Sequence, residues 1–380
     1  MSKAFQKCLN LKYPIIQAPM AGVTTIDMAA QACRAGAMAS LPLSHLDFRI
    51  AKDFEQFKSM ISQFRNHVAN ESLEKNLNFN FFCHDILNKP TKLQIDNWAK
   101  LYEKSLNIPI DVDKISFKNG NVSFKAFERD DALQDFFQYL ADEFKPKVIS
   151  FHFGHPSKST IKYLQRHGIL VFVTATSIKE VHLLAKLGID GMVCQGYEAG
   201  GHRGNFLVND SKNDENLSTA QLVKRTVTEL AVMRDKGFLY DIPLVIAAGG
   251  IMDPKDISYM LSQQADGVQL GTALLGCNES NASENFSKPY TSHSETRMVN
   301  IVSGKPARTI LTPFIEHLLT TFQGEELPPY GYMYNAFKQV KSTYPERANF
   351  FLAGEGFQSV QSGIATDQLI TKLGKSIAKN

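Results

Sequence analysis

Eight short apolar segments recur along the first 271 residues, and they constrain the fold more strongly than any other feature of the sequence. Each is bounded by turn residues, and most are rich in Val, Ile or Phe, as is typical of strands buried on both faces of a sheet. In chain order the candidate strands are YPIIQAP (13–19), the weaker AMASLP (37–42), LNFNFF (77–82), KVISFHF (147–153), ILVFVTA (169–175), DGMVCQ (190–195), PLVIAA (243–248) and DGVQLG (266–271). Strands of this kind predict a mainly parallel sheet.

Helical patterns separate these strands. The clearest is SIKEVHLLAKLG (177–188), in which Ser177 and Glu180 predict a capping box and Gly188 suits the C-terminal stop. Further helices are predicted over roughly 254–264 and near 362–378. A chain that alternates strands and helices needs a parallel sheet covered by helices, and eight strands fit a (β/α)8 TIM barrel better than an open sheet.

Two segments of the chain are not needed to build a minimal (β/α)8 barrel. Residues 83–146 are long for one crossover, and Asn119-Gly120 within SFKNGNVSF predicts a hairpin there. Residues 276–360 follow the last strand and contain Pro- and Tyr-rich stretches. We therefore expect an insertion between strands three and four and a C-terminal extension on the substrate side. Both are expected to belong to a single domain of residues 1–380.

The composition narrows the classes of function. The formal net charge is +3 with Lys and Arg scattered along the chain, which argues against a nucleic-acid partner. Five distant cysteines without a CxxC pair indicate reduced thiols, and neither a disulfide frame nor a metal site is expected. No apolar run suits a signal peptide or a membrane span. A cytoplasmic protein without a membrane partner is the expectation, as a monomer or a homodimer.

Glycines and polar residues cluster where the predicted strands end, which is where (β/α)8 barrels place their active-site groups. QAPMAG (17–22) follows strand one, and QGYEAGGHRG (195–204) follows strand six. After strands seven and eight come Gly249-Gly250 and Gly271-Thr272, at positions where such barrels commonly hold a phosphate on backbone N–H groups. These glycines predict a phosphorylated ligand, although tight turns alone would also require them. No GxGxxG follows a strand, so a Rossmann dinucleotide site has little support.

The motifs PIIQAPMAG, ISFHFG, QGYEAGGHRG, AAGGI and ADGVQLGTALL occur here in an order that resembles the class I nitronate monooxygenases, which are FMN-dependent barrel enzymes. The similarity extends from about residue 13 to about residue 358 and is weakest over 84–145. QGxEAGGHRG is its most specific element. The chain departs from the family pattern at AGAMASLP (35–42) and AGEG (353–356). We expect these two departures to affect the range of substrates more than the binding of FMN.

The resemblance implies how FMN is held without a covalent bond. Its phosphate would lie on Gly249, Gly250, Gly271 and Thr272. Its ring would be contacted by Asn80, with Asn78 as an alternative, and would be approached closely by Gly200 and Gly201. The other implied ring contacts are Gln195, whose amide can both donate and accept, and the backbone of Pro19, Met20, Ala21 and Gly22.

The resemblance also implies that His202 is the catalytic residue. An imidazole titrates near neutral pH and can remove a proton from the carbon next to a nitro group. In its cationic form it can instead hold an anionic nitronate, and the sequence leaves both roles open. His152 is implied to face the substrate, or it is a strand-end histidine bonded to the backbone. Arg203 and Glu198 are interpreted as ion-pairing residues that shape the loop.

A second group of substrate-binding residues is implied near the C-terminal end. Tyr330, Tyr334 and Lys338 are spaced at i, i+4 and i+8, which predicts one face of a helix. Aromatic residues at that spacing usually pack into a core, whereas the resemblance implies that these three line the substrate pocket. Arg308 in SGKPAR matches a family stretch and is as readily structural.

The resulting hypothesis is an FMN-dependent nitronate monooxygenase. It would oxidise alkyl nitronates, with propionate 3-nitronate the implied substrate, by O2 to a carbonyl compound and nitrite, in a detoxifying role. One alternative is an FMN-dependent NAD(P)H:quinone or enoyl-thioester reductase on the same barrel. Another is a flavin-free phosphate-binding isomerase or lyase.

Overall fold

The computed structural model describes residues 2–208, 213–286 and 295–377. Eight parallel strands form one sheet, and a bridge between Ile16 and Met38 joins its two ends. The (β/α)8 barrel is therefore confirmed, with all eight predicted strands in place. In the order in which they lie side by side, the barrel strands are β1 (Ile15–Gln17), β9 (Gly267–Leu270), β8 (Leu244–Ala248), β6 (Gly191–Gln195), β5 (Leu170–Ala175), β4 (Val148–His152), β3 (Leu77–Phe82) and β2 (Ala39–Pro42).

Helices cover the outside of this barrel and continue into the insertion and the extension. The three helices predicted from the sequence are present at Ile178–Leu187, Pro254–Ser262 and Thr366–Ile377. The helices are α1 (Ser2–Leu9), α2 (Ile26–Ala35), α3 (Ala51–Val68), α4 (Glu71–Glu74), α5 (Lys92–Leu106), α6 (Phe124–Phe127), α7 (Ala132–Asp142), α8 (Lys158–Arg166), α9 (Ile178–Leu187), α10 (Thr219–Asp235), α11 (Pro254–Ser262), α12 (Pro313–Thr321), α13 (Tyr332–Thr343) and α14 (Thr366–Ile377).

The amino-terminal end of the barrel is closed by α1. Phe5 and Leu9 of this helix are fully buried and pack against side chains inside the barrel, including Phe172 and Ile246. Gly267 makes room for this contact, because a Cβ atom there would lie 2.6 Å from the Phe5 ring. The interior is thus filled at one end, and space for a ligand is left at the carboxyl ends of the strands.

The insertion and the extension share a hydrophobic cluster of their own. Trp98 and Tyr102 of α5 stack with ring centroids 4.4 Å apart, and Tyr102 contacts Phe314 of α12 at 5.9 Å. Leu318 and Phe337 complete the centre of this cluster. The insertion between strands three and four and the C-terminal extension are therefore both present, and residues 287–294 of the extension lie outside the described part of the chain.

A small antiparallel sheet connects the extension to the loop after β6. It consists of β10 (Thr296–Val299), β11 (Ala307–Ile310) and β7 (Gly201–His202). Ala307 pairs with His202 and Arg308 with Gly201. The extension thereby fixes the backbone of the QGYEAGGHRG loop.

The hairpin predicted at Asn119-Gly120 is wrong. Residues 116–123 contain no strand, and their backbone groups bond to distant segments. The N–H of Gly120 donates to the Gly331 carbonyl at 3.3 Å, and that of Val122 donates to the Ser44 carbonyl at 3.1 Å. Phe117 packs edge-on against Trp98 at 5.2 Å. Because these tertiary partners satisfy the segment, its two halves do not pair with each other.

The capping box predicted for α9 is only half formed. Ser177 accepts a hydrogen bond from the N–H of Glu180 at 3.3 Å, and Gly188 ends the helix at a φ of 73°. The Glu180 carboxylate turns instead to the N–H groups of Thr176 at 2.7 Å and Phe206 at 2.8 Å. This carboxylate therefore joins the helix start to the loop that follows the small sheet.

The described residues contain no helix that is long and apolar enough to cross a membrane. Within the same residues, no group of three or more His, Cys, Asp or Glu side chains is arranged to hold a metal ion. Four of the free cysteines, Cys33, Cys83, Cys194 and Cys277, are buried.

Candidate active site

A cavity of about 770 Å³ opens at the carboxyl ends of the barrel strands. This volume lies within the range of pockets that enclose cofactors and drug-sized ligands. Every site residue expected from the sequence lines the cavity except Tyr330. Those on its wall are Pro19, Met20, Ala21, Gly22, Asn80, His152, Gln195, Gly200, Gly201, His202, Gly249, Gly250, Gly271, Thr272, Tyr334 and Lys338.

The loops after β8 and β9 offer unpaired donors to the cavity. The N–H groups of Gly249, Gly250 and Gly271 donate no hydrogen bond to any other described residue. Gly249 and Gly250 have φ values of 118° and 67°, which side-chain-bearing residues rarely adopt. A Cβ atom at Gly249 would also lie 2.9 Å from Thr219 Oγ1. These groups could hold a phosphate, because its oxygens accept hydrogen bonds from backbone N–H groups.

The loop after β1 forms a tight turn against the same cavity. The Thr24 N–H donates to the Met20 carbonyl at 2.9 Å, and the Met20 N–H donates to Thr24 Oγ1 at 3.2 Å. Gly22 adopts a φ of 79° within this turn. The turn presents the Met20 side chain and the backbone of its neighbours to the space where a planar ring would fit.

Asn80 and Asn78 both point into the barrel, but at different depths. Asn80 lines the cavity, and its Nδ2 donates to Ser150 Oγ at 2.9 Å. Asn78 lies one layer deeper, where its Nδ2 donates to Ser40 Oγ at 3.1 Å. Of the two asparagines considered, the geometry places only Asn80 within reach of a cavity ligand.

The two central glycines of the motif loop are needed for different reasons. A Cβ atom at Gly200 would lie 2.3 Å from the Gly354 nitrogen, so the AGEG segment (353–356) packs directly against it. Gly201 has a φ of 78°, and no atom lies within 4 Å of the position of its Cβ. Gly201 therefore faces open cavity, whereas Gly200 is required by the packing of the chain itself.

Gln195 uses its amide to hold this same loop. Its Nε2 donates to the His202 carbonyl at 3.0 Å, and its Oε1 accepts from the Gly204 N–H at 2.7 Å. The side chain lines the cavity, but its polar atoms are already bonded. The amide thus positions His202, and an expected polar contact between Gln195 and a flavin would have to share these atoms.

Arg203 forms a buried ion pair beneath the loop. Its guanidinium donates to both carboxylate oxygens of Asp214, at 2.7 and 2.8 Å, and to the Gln195 carbonyl at 2.7 Å. Burial raises the pKa of Asp214, but the bonds and charge of Arg203 lower that pKa below its usual value overall. Glu198 is not the partner of Arg203, because its carboxylate accepts the Thr219 N–H at the start of α10 at 2.9 Å. The ion pair stabilises the conformation that presents His202.

The hydrogen bonds of His202 define which ring nitrogen is free. Its Nε2 lies 2.9 Å from Ser303 Oγ, and the Ser303 hydroxyl donates to the Lys305 carbonyl at 3.0 Å. Since the single hydroxyl proton of Ser303 is used in that bond, Nε2 must be the donor. Nδ1 then carries the lone pair, and no described residue bonds to it.

His202 is uncharged at neutral pH. Burial lowers its pKa to about 3, with further contributions from His152, Lys305 and Lys338. A neutral imidazole with a free Nδ1 can accept a proton, but it does not offer the positive charge that would hold an anion. The unbonded Nδ1 of a neutral ring therefore fits proton acceptance better than anion binding, whereas the low pKa of His202 makes the ring a weak base.

Both ring nitrogens of His152 are bonded to the protein. Its Nε2 lies 3.2 Å from the His202 carbonyl, which only accepts, so Nε2 is the donor. Its Nδ1 accepts from the Thr174 hydroxyl at 3.0 Å. Burial lowers the pKa of His152 to about 4. His152 is thus held as a neutral side chain that supports the loop, in line with the backbone-bonded alternative.

Tyr330 does not share a helix face with Tyr334 and Lys338, so this part of the spacing argument is wrong. The helix α13 begins only after Gly331, whose φ of 89° breaks the regular backbone. Tyr330 lies behind His202, with ring centroids 5.6 Å apart, and Tyr334 contacts His202 at 5.4 Å. Lys338 Nζ lies 4.5 Å from the centroid of the Tyr334 ring. Two of the three residues therefore line the cavity, and the third packs against His202.

Sequence reasoning missed three residues that support the site, namely Ser303, Thr174 and Asp214. Ser303 is the first residue of SGKPAR (303–308), which resembles a stretch of the family. The resemblance could therefore have pointed to Ser303. Arg308 of that stretch is structural, since its guanidinium donates to the Tyr197 carbonyl at 2.8 and 3.0 Å. Nothing in the sequence indicates the pairing of Asp214 with Arg203.

The buried histidines predict that the protein loses stability in mild acid. Burial is the main cause that lowers the pKa of His84 and His152 to about 4 and that of His202 to about 3. Below about pH 6.5 the unfolded chain takes up protons at these sites while the folded chain does not. The free energy of unfolding therefore falls as the pH falls, by about 2 kcal/mol per histidine at pH 5 relative to pH 7.

Urea unfolding at pH 7 and pH 5 measures this loss. In a His84→Phe variant the difference between the two pH values is expected to shrink by about 2 kcal/mol, since one of the three groups is gone. A free energy of unfolding that is the same at both pH values in the wild-type protein would contradict the charge states assigned to these histidines.

Comparison with known proteins identifies related sequences along almost the whole chain. A model of the nitronate monooxygenase family matches residues 2–376. The chain is 74% identical over 374 residues to a Saccharomyces cerevisiae protein provisionally described as a nitronate monooxygenase, with 98% of this chain and 93% of that protein covered. It is 31% identical over 364 residues to a nitronate monooxygenase of Pseudomonas aeruginosa, with 93% and 92% covered.

Solved structures share the architecture. The nitroalkane oxidase of Streptomyces ansochromogenes matches with a TM-score of 0.75 at 24% identity, covering 99% of this chain and 98% of that one. FabK of Thermotoga maritima matches with a TM-score of 0.66 at 19% identity, covering 99% and 96%. At these identities the similarity concerns the fold alone.

Proposed function

This chain belongs to the nitronate monooxygenase family, and on that premise we propose that it oxidises alkyl nitronates with O2 to a carbonyl compound and nitrite, using FMN. Propionate 3-nitronate is the substrate proposed. The observation that carries this proposal is the arrangement of a neutral His202, with Nδ1 unbonded, on the wall of a cavity whose opposite loops present unpaired N–H groups.

The residues on the cavity wall fit FMN. Its phosphate would accept hydrogen bonds from the N–H groups of Gly249, Gly250 and Gly271, which bond to no described residue. Its ring would lie between the turn at Met20 and the open space beside Gly201. Bound there, FMN would supply the electron-accepting ring that the amino-acid side chains lack.

The nitronate would bind near His202, between the ring site and the residues of α13. Lys338, whose side chain lines the cavity, offers a positive charge to the anion. The Tyr334 ring and the turn at Met20 line the same cavity and would shield the reacting carbon from water.

When a neutral nitroalkane is the substrate, His202 Nδ1 would remove the proton on the carbon next to the nitro group. The imidazolium that forms is stabilised through Nε2–H, because Ser303 Oγ accepts from it and passes the polarisation to the Lys305 carbonyl. The carbonyl of His202 is held by both Gln195 and His152, so the ring keeps its orientation during the transfer. A nitronate that is already ionised needs no such step.

Parallel assays on the purified holoprotein test this proposal. One sample receives ethyl nitronate in air, and the other receives NAD(P)H with a quinone. We expect nitrite only from the first, and we expect mass spectrometry of the cofactor released by heat to identify FMN. Quinone-dependent NAD(P)H consumption without nitrite formation would instead support the reductase alternative, and a protein that releases no flavin would overturn the proposal.

A further inference from the structure

Phe153 is held in a backbone conformation that large side chains rarely adopt. Its φ is 68°, in the left-handed region, and Gly154 follows with a φ of 136°. Phe153 comes directly after His152 at the end of β4 and is 2% exposed. Because such strain persists only where the surroundings enforce it, and is concentrated at functional sites, the contacts of this ring require an explanation.

The left-handed turn places the Phe153 ring at the centre of the residues around His202. Its centroid lies 4.4 Å from that of His152, 5.9 Å from His202 and 5.3 Å from Tyr330. It also lies 6.3 Å from the ring of His84. Phe153 is therefore the apolar wall against which the polar rings of the site are packed.

The ammonium group of Lys305 lies on this same ring. Its Nζ is 4.9 Å from the Phe153 centroid, a distance at which a cation is attracted by the π face. In the described part of the chain this ammonium makes no hydrogen bond and no ion pair. The main chain of Lys305 meets His202 from the other side, since its carbonyl accepts from Ser303, which accepts from His202 Nε2.

The neighbouring carboxylates are engaged elsewhere. Burial is the main cause that lowers the pKa of Lys305, while the charges of Asp85 and Glu180 raise this pKa and the charge of Lys125 lowers it. Asp85 pairs with Lys125 at 2.6 Å, and Glu180 accepts from backbone N–H groups of Thr176 and Phe206. Neither Lys305 nor Phe153 belongs to the cavity wall that the described residues form, but Phe153 contacts His152 and His202, which do belong to it. A positive charge without a close counterion behind these two rings creates a potential that attracts anions.

We propose that Lys305, placed over Phe153, is a positioning residue that makes the cavity select anionic over neutral nitro compounds. The unpaired charge of the Lys305 ammonium acts across the Phe153 ring on an anion bound near His202. Separately, the Lys305 carbonyl accepts from Ser303 and thereby orients the His202 imidazole. This inference rests on the proposed function for the identity of the substrate. The class of ligand that we propose for the cavity is an anion with a planar O–N–O group.

Equilibrium binding to the holoprotein tests the proposal without turnover. The probes are nitrate, an anion with a planar O–N–O group, and nitroethane, which is neutral, both measured by calorimetry. Lys305→Met is expected to weaken nitrate binding about tenfold and to change nitroethane binding less than twofold, because only the anion senses the lost charge. Lys305→Arg is expected to retain nitrate affinity within about threefold, because it restores the charge.

Comparing nitrate with nitroethane distinguishes the loss of the Lys305 charge from structural damage caused by the substitution. An equal loss of affinity for both probes in Lys305→Met, no loss for nitrate, or a Lys305→Arg variant as weak as Lys305→Met would overturn the inference. So would a wild-type protein without measurable nitrate affinity. A wild-type protein that binds nitrate but forms no nitrite from a nitronate would refute the proposed function and leave this inference intact.

Discussion

Replacing His202 with Asn is expected to lower kcat/KM for nitroethane by about 10³-fold, while the flavin stays bound. Asn cannot take up the α-proton that Nδ1 of the neutral imidazole is placed to accept. The same variant is expected to lose at most about tenfold with ethyl nitronate, because that substrate needs no deprotonation. Nitrite formation from both substrates, measured side by side at pH 7, gives the two ratios.

The contrast between the substrates assigns the role of His202. Absorbance near 450 nm (a property of bound flavin) and circular dichroism serve as controls for cofactor content and fold. Equal losses with both substrates would indicate that His202 holds the anion and is not a base. A His202→Asn variant with wild-type activity on nitroethane, or a wild-type protein that does not use nitroethane, would refute the base assignment.

The Arg203→Met variant is expected to lose about 3–5 kcal/mol of unfolding free energy. The side chains of Arg203 and Asp214 are only 1% and 6% exposed, so removal of the cation leaves a buried carboxylate without its partner. The Gln195 and Thr176 carbonyls lose their donors as well. Urea unfolding at pH 7 measures the change.

A double variant separates the unpaired charge from the lost packing. Arg203→Met combined with Asp214→Leu removes both charges, and it is expected to recover at least half of the lost stability, because an apolar pair tolerates burial. The account of this ion pair fails if Arg203→Met is destabilised by less than about 1 kcal/mol, the size of an exposed pair. It also fails if the double variant is no more stable than the single one.

The barrel could be predicted from the sequence because its strands are buried on both faces. Such strands are continuous apolar runs with sharp boundaries, and the predicted segment 77–82 coincides with β3. Once the strands were known, the glycines and polar residues at their carboxyl ends had to converge. This is why sixteen of the expected residues share one cavity although they come from seven separate stretches of the chain.

The contacts that tune the site could not be predicted, because they join segments with no local pattern in common. Ser303 lies 101 residues from His202, and it reaches Nε2 only because β11 pairs with β7. The strand β7 has two residues, which is too short to show any periodicity. The protonation state of His202 likewise depends on burial and on Lys305, which are tertiary effects.

Local patterns failed where tertiary contacts outweighed them. Asn119-Gly120 has the composition of a hairpin turn, but Gly120 bonds to Gly331 and the nearby Val122 bonds to Ser44. Tyr330 has helical spacing to Tyr334, but the positive φ of Gly331 places it before the helix. In the motif loop, Gly200 lines the cavity as expected, and the approach of Gly354 is a tertiary reason, invisible in the sequence, why no side chain fits there.

The reaction of the wild-type protein with propionate 3-nitronate in air tests the central proposal most directly. Purified protein with its flavin bound is mixed with the nitronate at millimolar concentration, and oxygen uptake and nitrite release are followed together. The account predicts that oxygen is consumed and nitrite accumulates, both in proportion to the amount of enzyme. A protein that carries its flavin but releases no nitrite under these conditions would contradict it.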